Sequence, residues 1–316
     1  MSDKKIIAVL GSTGAQGGGL AHAILSDPQN EFAVRAITRD INSDKARALE
    51  RLGAEIVKGD IDDEQSLLQA FDGAYGVYAV TFFWAHFSPE LELQQAENIA
   101  RAAKIKNVEH VIWSTLEDTR KWVPLDDDRM PTLGNKYKVP HFDAKGEADE
   151  VFRKLNVPAT FLLTSFYWDN FIYFGLGPKK GTDGKYYFTF PMDDKKLPGI
   201  ASEDIGKCAF GIFKAGKQFI GKTVGIAGGH LTGNEMAKVL TKELGREINY
   251  NPVSPEVYRG FGFPGADDLG NMFQFKRDFE NYFCGARSIE FSRSLNPSIQ
   301  SFEMWASKNK NKIPLE

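Results

Sequence analysis

Along the first third of the chain, five short segments are apolar at nearly every position. They are KIIAVL (Lys5–Leu10), AVRAIT (Ala33–Thr38), AEIVK (Ala54–Lys58), YGVYAV (Tyr75–Val80) and HVIWS (His110–Ser114). A strand exposed on one face alternates apolar and polar residues, whereas a strand covered on both faces reads as a continuous apolar run. Between these runs, Gly18–Ser26, Ser43–Leu52, Asp63–Phe71 and Pro89–Lys104 read as helices. The third begins DDEQSLLQAF, with carboxylates in the first turn, where the helix dipole favours them. Regular strand–helix alternation predicts an α/β fold built on a doubly wound parallel sheet.

A sixth strand is predicted at ATFLLTSF (Ala159–Phe166), after a helix over His141–Leu155 and the break Asn156–Pro158. The pattern then changes. Phe174–Gly199 is rich in glycine, proline, lysine and aromatics and reads as a hairpin or an ordered loop. IASEDIGKCAFGIFKAG is amphipathic, KTVGIAG resembles a strand, and Thr232, Glu235 and Gly245 bracket a further helix with a capping box and a glycine stop. The stretch Pro255–Cys284 is aromatic and turn-rich. The expected organisation is a dinucleotide-binding domain over residues 1–166, its sheet completed by elements in 198–227, with a smaller C-terminal α+β lobe from 167–197 and 228–316.

Composition narrows the function classes. The 316 residues are 42% hydrophobic and 26% charged, with a net charge of −3. That balance offers no electrostatic footprint for nucleic acid or an anionic membrane, and no apolar run is long enough for a membrane helix. Cys208 and Cys284 are too few for a disulfide framework and suit a reducing compartment. A cytoplasmic location is expected, with nuclear residence compatible. The KNKNK run near the end reads as a solvated tail rather than a nuclear address. His22, His86, His110, His141 and His230 show no metal-ligand spacing, so no metal site is expected.

The first strand runs into Gly11-Ser12-Thr13-Gly14-Ala15-Gln16-Gly17, followed by two more glycines. Behind a strand and opening a helix, this spacing gives a tight turn at Gly11 and a close backbone approach to pyrophosphate at Gly14. Gly17 then allows close helix–strand packing, and the helix N-terminus faces the phosphates. The second strand ends in Arg39 and then Asp40. A guanidinium there suits a 2′-phosphate, so NADP(H) is the expected cofactor, with Asp40 leaving room for NAD(H). Asp60, after the third strand, is placed either to accept from an adenine amino group or to cap the next helix.

Short-chain reductases use a serine at the end of the fifth strand and a Tyr-x-x-x-Lys pair on the following helix. The lysine binds the nicotinamide ribose and the tyrosine supplies a proton. Here Ser114 and Lys145 are present, but His141 stands in the tyrosine position, and Tyr137 has the wrong offset. His141, Lys145 and Ser114 are therefore the catalytic candidates. Imidazole can act as an acid near neutral pH. The aromatic run TFFWAHF (Thr81–Phe87) fits either a substrate pocket or packing at the mouth of the cleft.

The blocks GSTGAQGGG, VTFFW, HVIWSTLED, PHFDAKGEADEVF, FYWDNF and GFPGADDLGNMF together resemble the NmrA-like family of atypical short-chain dehydrogenase/reductases, over nearly the whole chain. The resemblance implies a Rossmann domain with a smaller lobe and NADP(H) bound without established turnover. It also implies contacts with a regulatory protein partner, such as a transcription factor or a second copy of the chain, that depend on cofactor occupancy. It places cofactor contacts on Gly11–Gly17, Arg39, Asp60, Ile61, Thr81, Phe82, Phe83, Lys145, Tyr167, Trp168, Asp169 and Asn170. Glu97 stands where relatives carry a cofactor-contacting lysine. Two functions follow from the sequence: an NADP(H)-binding redox sensor, favoured by the missing tyrosine, and an NADPH-dependent reductase of a small carbonyl, imine or alkene.

Overall fold

The first five predicted strands form within one residue of their expected bounds in the computed structural model, which describes residues 4–315. They are β1 (Lys5–Val9), β2 (Phe32–Thr38), β3 (Glu55–Lys58), β4 (Gly76–Ala79) and β5 (His110–Thr115). The helices among them are α1 (Ala15–Leu25), α2 (Asp44–Arg51), α3 (Glu64–Ala70) and α4 (Pro89–Ile105). After β5 come α5 (Pro140–Lys154) and β6 (Ala159–Leu163). Every position of β4, β5 and β6 is buried, as their unbroken apolar runs require.

The expected sixth strand breaks after Leu163. Its end becomes a separate β7 (Phe166–Tyr167), which pairs in a different sheet. Then follow α6 (Asn170–Tyr173), the hairpin β8 (Lys179–Lys180) and β9 (Tyr186–Phe190), and β10 (Leu197–Ile200). Next come α7 (Ser202–Lys214), β11 (Thr223–Gly225), β12 (Gly229–Leu231), α8 (Gly233–Leu244) and β13 (Ile248–Pro252). The chain closes with α9 (Pro255–Arg259), α10 (Ala266–Asp278), α11 (Glu280–Gly285), α12 (Ile289–Leu295) and α13 (Phe302–Asn309). The main sheet is parallel, with strand order β11-β6-β5-β4-β1-β2-β3. Two three-stranded sheets, β12-β10-β7 and β13-β9-β8, belong to the smaller lobe. No described helix is long and apolar enough to cross a membrane.

Two readings of the C-terminal half change. Pro255–Cys284, expected to be turn-rich, is mostly helical. Helix α10 buries residues all round, including Asp268, Asn271 and Lys276, so it lacks the one-sided stripe by which a surface helix is recognised. The KNKNK run starts inside α13, which ends at Asn309, while Lys310, Asn311 and Lys312 beyond it are exposed. Lys308 pairs with Glu203 at 2.7 Å, and the Asn309 side chain donates to the Trp305 carbonyl at 3.0 Å.

The glycine run serves more than one neighbour. Helix α1 begins three residues earlier than expected, so Gly17 lies in its first turn. A Cβ there would sit 2.5 Å from the Gly11 carbonyl oxygen and 2.6 Å from that of Leu10. Gly19 instead faces α7, where a Cβ would meet the Glu203 carbonyl oxygen at 2.4 Å. Gly206 on α7 reciprocates, its Cβ position lying 2.1 Å from the Leu20 nitrogen. Helices α1 and α7 therefore touch backbone to backbone, and α7 fixes where the α1 N-terminus points.

The lobes are joined by a buried ion pair. Arg287, fully buried, makes a two-pronged contact with Glu117 at 2.7 and 3.0 Å and donates to the Thr164 carbonyl at 2.8 Å. Beside it, the Lys276 ammonium is buried among Phe142, Phe166, Phe273 and Phe283, whose ring centroids lie 5.4 to 6.0 Å away. Burial pushes its pKa down to about 7. Gly206→Ala tests the α1–α7 contact. Overpacking of this kind costs about 1–3 kcal/mol, and the displaced α1 should also weaken dinucleotide binding; urea unfolding and a nucleotide titration report the two effects.

Candidate functional site

The N-terminus of α1 opens at the C-terminal edge of the main sheet. Gly11 has φ +61°, which only glycine adopts at little cost, and Gly14 is the N-cap with no side-chain hydrogen bond. The N–H groups of Ala15, Gln16 and Gly17 therefore lack intrahelical partners, and no acidic residue occupies the first turn. Ser12 ties the loop to β2 through its hydroxyl on the Ile37 carbonyl at 3.0 Å, and Thr13 is half-buried beside it. Arg39 is exposed and makes no hydrogen bond or ion pair among the described residues, whereas the Asp40 carboxylate accepts from Asn42 N–H at 2.9 Å.

Asp60 does not cap the following helix; Asp63 does, accepting from Gln65 N–H at 3.0 Å. The Asp60 carboxylate accepts from Asp62 N–H at 3.1 Å. Ile61 is held from α4, where Asn98 donates to its carbonyl at 2.9 Å. Glu97 faces solvent and pairs with Arg101 on its own helix.

Gln16, named from the sequence only as a member of the glycine loop, is also a hub. Its side-chain oxygen accepts from Tyr78 at 2.6 Å and from Ser114 at 2.8 Å, and its amide donates to the Tyr167 hydroxyl at 2.6 Å. Ser114 thus braces the glycine loop. Burial pushes the Tyr167 hydroxyl up to about 12, so it stays protonated. The rest of the Tyr167–Asn170 run divides. The Trp168 side chain is core, packed on Phe302 and Trp305 with ring centroids 5.3 and 6.3 Å away, which leaves only its backbone for a ligand. The Asp169 carboxylate accepts from Ser202 N–H at 2.8 Å, at the start of α7. Asn170 opens α6 and is half-buried.

His141 and Lys145 lie one turn apart on one face of α5. Lys145 donates to the Thr81 hydroxyl at 2.6 Å and forms an ion pair with the Glu92 carboxylate at 2.7 Å, over the Trp113 ring at 5.0 Å. Thr81 in turn donates to Glu92, which is fully buried on α4. His86 completes the group: Nδ1 accepts from Ser88 N–H at 3.0 Å, and Nε2 lies 3.5 Å from the second Glu92 oxygen. Glu92 was hidden in the sequence because acids are common in a first helical turn.

The imidazole of His141 is wired across the lobes. Its Nδ1 lies 2.6 Å from one oxygen of Asp268, and its backbone N–H donates to the other at 3.2 Å. A carboxylate accepts, so Nδ1 carries the hydrogen, and Nε2 makes no hydrogen bond among the described residues. Trp84 and Phe83 pack on the ring at 4.7 and 5.9 Å between centroids, while Phe82 and Phe87 are exposed at the rim. Tyr137 cannot replace the missing tyrosine: its ring is buried beneath Arg120 and Lys136. The blocks PHFDAKGE and GFPGADDLGNMF therefore meet, through Asp268 on His141 and through Asn271, whose amide donates to the Lys138 carbonyl at 2.6 Å.

The NmrA-like family profile matches residues 3–305. The chain belongs to the NmrA-like family. It is 30% identical over 295 residues to an NmrA-like family domain-containing oxidoreductase of Cladobotryum sp, covering 85% of this chain and 83% of that protein. It is 27% identical to an NmrA-like family domain-containing protein of Dictyostelium discoideum, over 98% and 99% of the two chains. Among solved structures, it matches NmrA, a negative transcriptional regulator, in complex with NADP (TM-score 0.79, 22% identity, 97% and 95% covered). It also matches the Citrobacter sp. triphenylmethane reductase complexed with NADP(H) (TM-score 0.74, 21% identity, 96% and 99% covered). These likenesses establish a shared fold for a chain of the NmrA-like family.

The buried Lys145–Glu92 pair has a measurable consequence. Lys145→Ala leaves a buried carboxylate uncompensated and should cost about 3–5 kcal/mol of stability. Adding Glu92→Gln should recover much of that loss. Chemical denaturation of the single and double variants tests the coupling.

Proposed function

We propose that the protein binds NADP(H) and acts as an NADPH-dependent reductase of a small carbonyl, imine or alkene. The observation that carries this reading is the Asp268–His141 pair, with Nε2 making no hydrogen bond among the described residues and Phe83 and Trp84 packed against the ring. The residues present fit the cofactor. Free N–H groups at α1 and an unpaired Arg39 offer donors for pyrophosphate and 2′-phosphate, and the side-chain-free Gly14 lets an anion approach the backbone. Lys145 donates to Thr81 and is paired with Glu92, and it has donor capacity left for a ribose hydroxyl.

When bound, NADPH supplies the hydride equivalent. His141 supplies the proton: Asp268 stabilises the imidazolium and fixes the ring, so the Nε2 proton is held toward the cleft for the substrate atom that becomes basic. Phe83 and Trp84 cover the imidazole and limit water there. Sequence alone weighed against this chemistry because it lacked the tyrosine. Asp268, far along the chain, supports a substitute acid. The oxidoreductase names of the fungal relatives support the same reading.

A regulatory reading has its own support. The Phe82–Phe87 loop packs on the small lobe at Gly265, where a Cβ would lie 2.9 Å from Trp84 and 3.2 Å from Phe87. A cofactor that orders this loop would reach a surface of the smaller lobe and control its contacts with a protein partner, as in a redox sensor. The description of NmrA as a negative transcriptional regulator supports such a role.

Arg39→Ala should weaken NADP(H) by about 1.5–3 kcal/mol and NAD(H) far less, because only the former carries the 2′-phosphate. Calorimetry with both cofactors checks this, and equal losses would remove Arg39 from the site. His141→Ala should lower substrate-dependent NADPH oxidation about 10²–10⁴-fold while leaving NADPH affinity nearly unchanged. Asp268→Asn, which takes the carboxylate from Nδ1, should lower the same activity without changing NADPH affinity. If a carbonyl, imine and alkene panel yields no NADPH oxidation in the parent protein, the reductase reading falls and the regulatory one stands.

A further inference from the structure

We propose that Glu92 is a positioning residue for the cofactor, holding the Lys145 ammonium in one place for the ribose; a buried lysine deprived of such a partner favours its neutral form. The inference rests on the cofactor reading above and extends it to a residue of α4 that lies outside the glycine loop.

The geometry makes Lys145, Thr81 and Glu92 one unit. Glu92 is fully buried, and the oxygen that accepts from the Thr81 hydroxyl also lies 2.7 Å from the Lys145 ammonium, which donates to Thr81. That triangle restricts the ammonium, so its remaining donor has one direction rather than a rotamer's freedom. It also compensates the charge. An ammonium taken out of water without a partner favours its neutral form, while a carboxylate in contact favours the charged one. The same chain holds the contrasting case. Lys276, buried among phenylalanine rings, has the Met272 sulfur at 3.2 Å as its hydrogen-bond partner, and its pKa is pushed down to about 7.

The other groups around Lys145 are few. Trp113 of β5 lies beneath it, and His141 and Asp149 stand one turn away on either side along α5. Asp149 accepts from the Trp113 indole at 3.0 Å and the Thr115 hydroxyl at 2.7 Å, and burial raises its carboxyl to about 7. His86 faces Glu92 from the loop after β4. None of these is a carboxylate in contact with the ammonium, so Glu92 alone performs the compensation.

The test is NADPH titration, followed by nucleotide fluorescence, from about pH 7 to about pH 9, with thermal unfolding of each variant measured alongside. The parent affinity should change little over this interval. Glu92→Gln should lose on the order of tenfold or more in affinity toward the alkaline end. Glu92→Asp, which withdraws the carboxylate, should give the same trend with smaller amplitude and serves if Glu92→Gln does not fold. Adding Lys145→Arg to Glu92→Gln should flatten the profile, since a guanidinium keeps its proton. If the variants lose thermal stability but keep the parent's pH profile, Glu92 is only a packing residue and the proposal is wrong. If the parent binds no NADPH, the cofactor reading itself fails, and that result needs no variant to recognise.

Discussion

Ionised groups buried between the two lobes govern this structure. A buried carboxylate or guanidinium without a partner costs several kcal/mol, so each must be matched, and here the partners lie on different lobes. Asp268 of α10 is satisfied by His141 of α5, and Arg287 by Glu117 beyond β5. Separating the lobes would strand all four groups. The smaller lobe is thereby held over the edge of the sheet where α1 opens. The same pairing that fixes the lobes also orients the imidazole.

Polar satisfaction and site construction are therefore one problem in this protein. Gln16 meets its hydrogen-bonding needs through Tyr78, Ser114 and Tyr167, so the glycine loop is braced by three other elements. One Glu92 oxygen accepts from Thr81 and pairs with Lys145, so that ammonium is braced by α4, while the other oxygen has no hydrogen-bond partner among the described residues. Such networks are rigid because leaving any member unpaired is expensive. They suit a site that must hold a flexible dinucleotide in one arrangement. The exposed aromatic rim of Phe82 and Phe87 is free of such constraints.

The parallel sheet was legible because its strands are buried on both faces and separated by capped helices. The capping box of Thr232 and Glu235, with Gly245 at φ +65°, forms as local rules dictate. Gly11 and Gly17 were legible for the same local reason: a left-handed turn and a close backbone contact each exclude a side chain. Gly19 was not, since its neighbour Gly206 is brought to it only by the crossing of α1 and α7. Likewise α10 gave no helical stripe, because it is surrounded.

By itself, the sequence determined what depends on neighbours a few residues away: the strand–helix alternation, the glycine turn into α1, the cation at Arg39 and the histidine in place of a tyrosine. Tertiary structure decided what depends on pairing across the chain. It divided Tyr167 from Trp168, giving one to the glycine loop and the other to the small-lobe core. It also joined Asp268 to His141 and Glu92 to Lys145, turning residues with ordinary local roles into parts of one site. The physical reason is range. Backbone geometry and helix capping act over one turn, whereas compensation of a buried charge needs a partner in space and is indifferent to its distance along the chain.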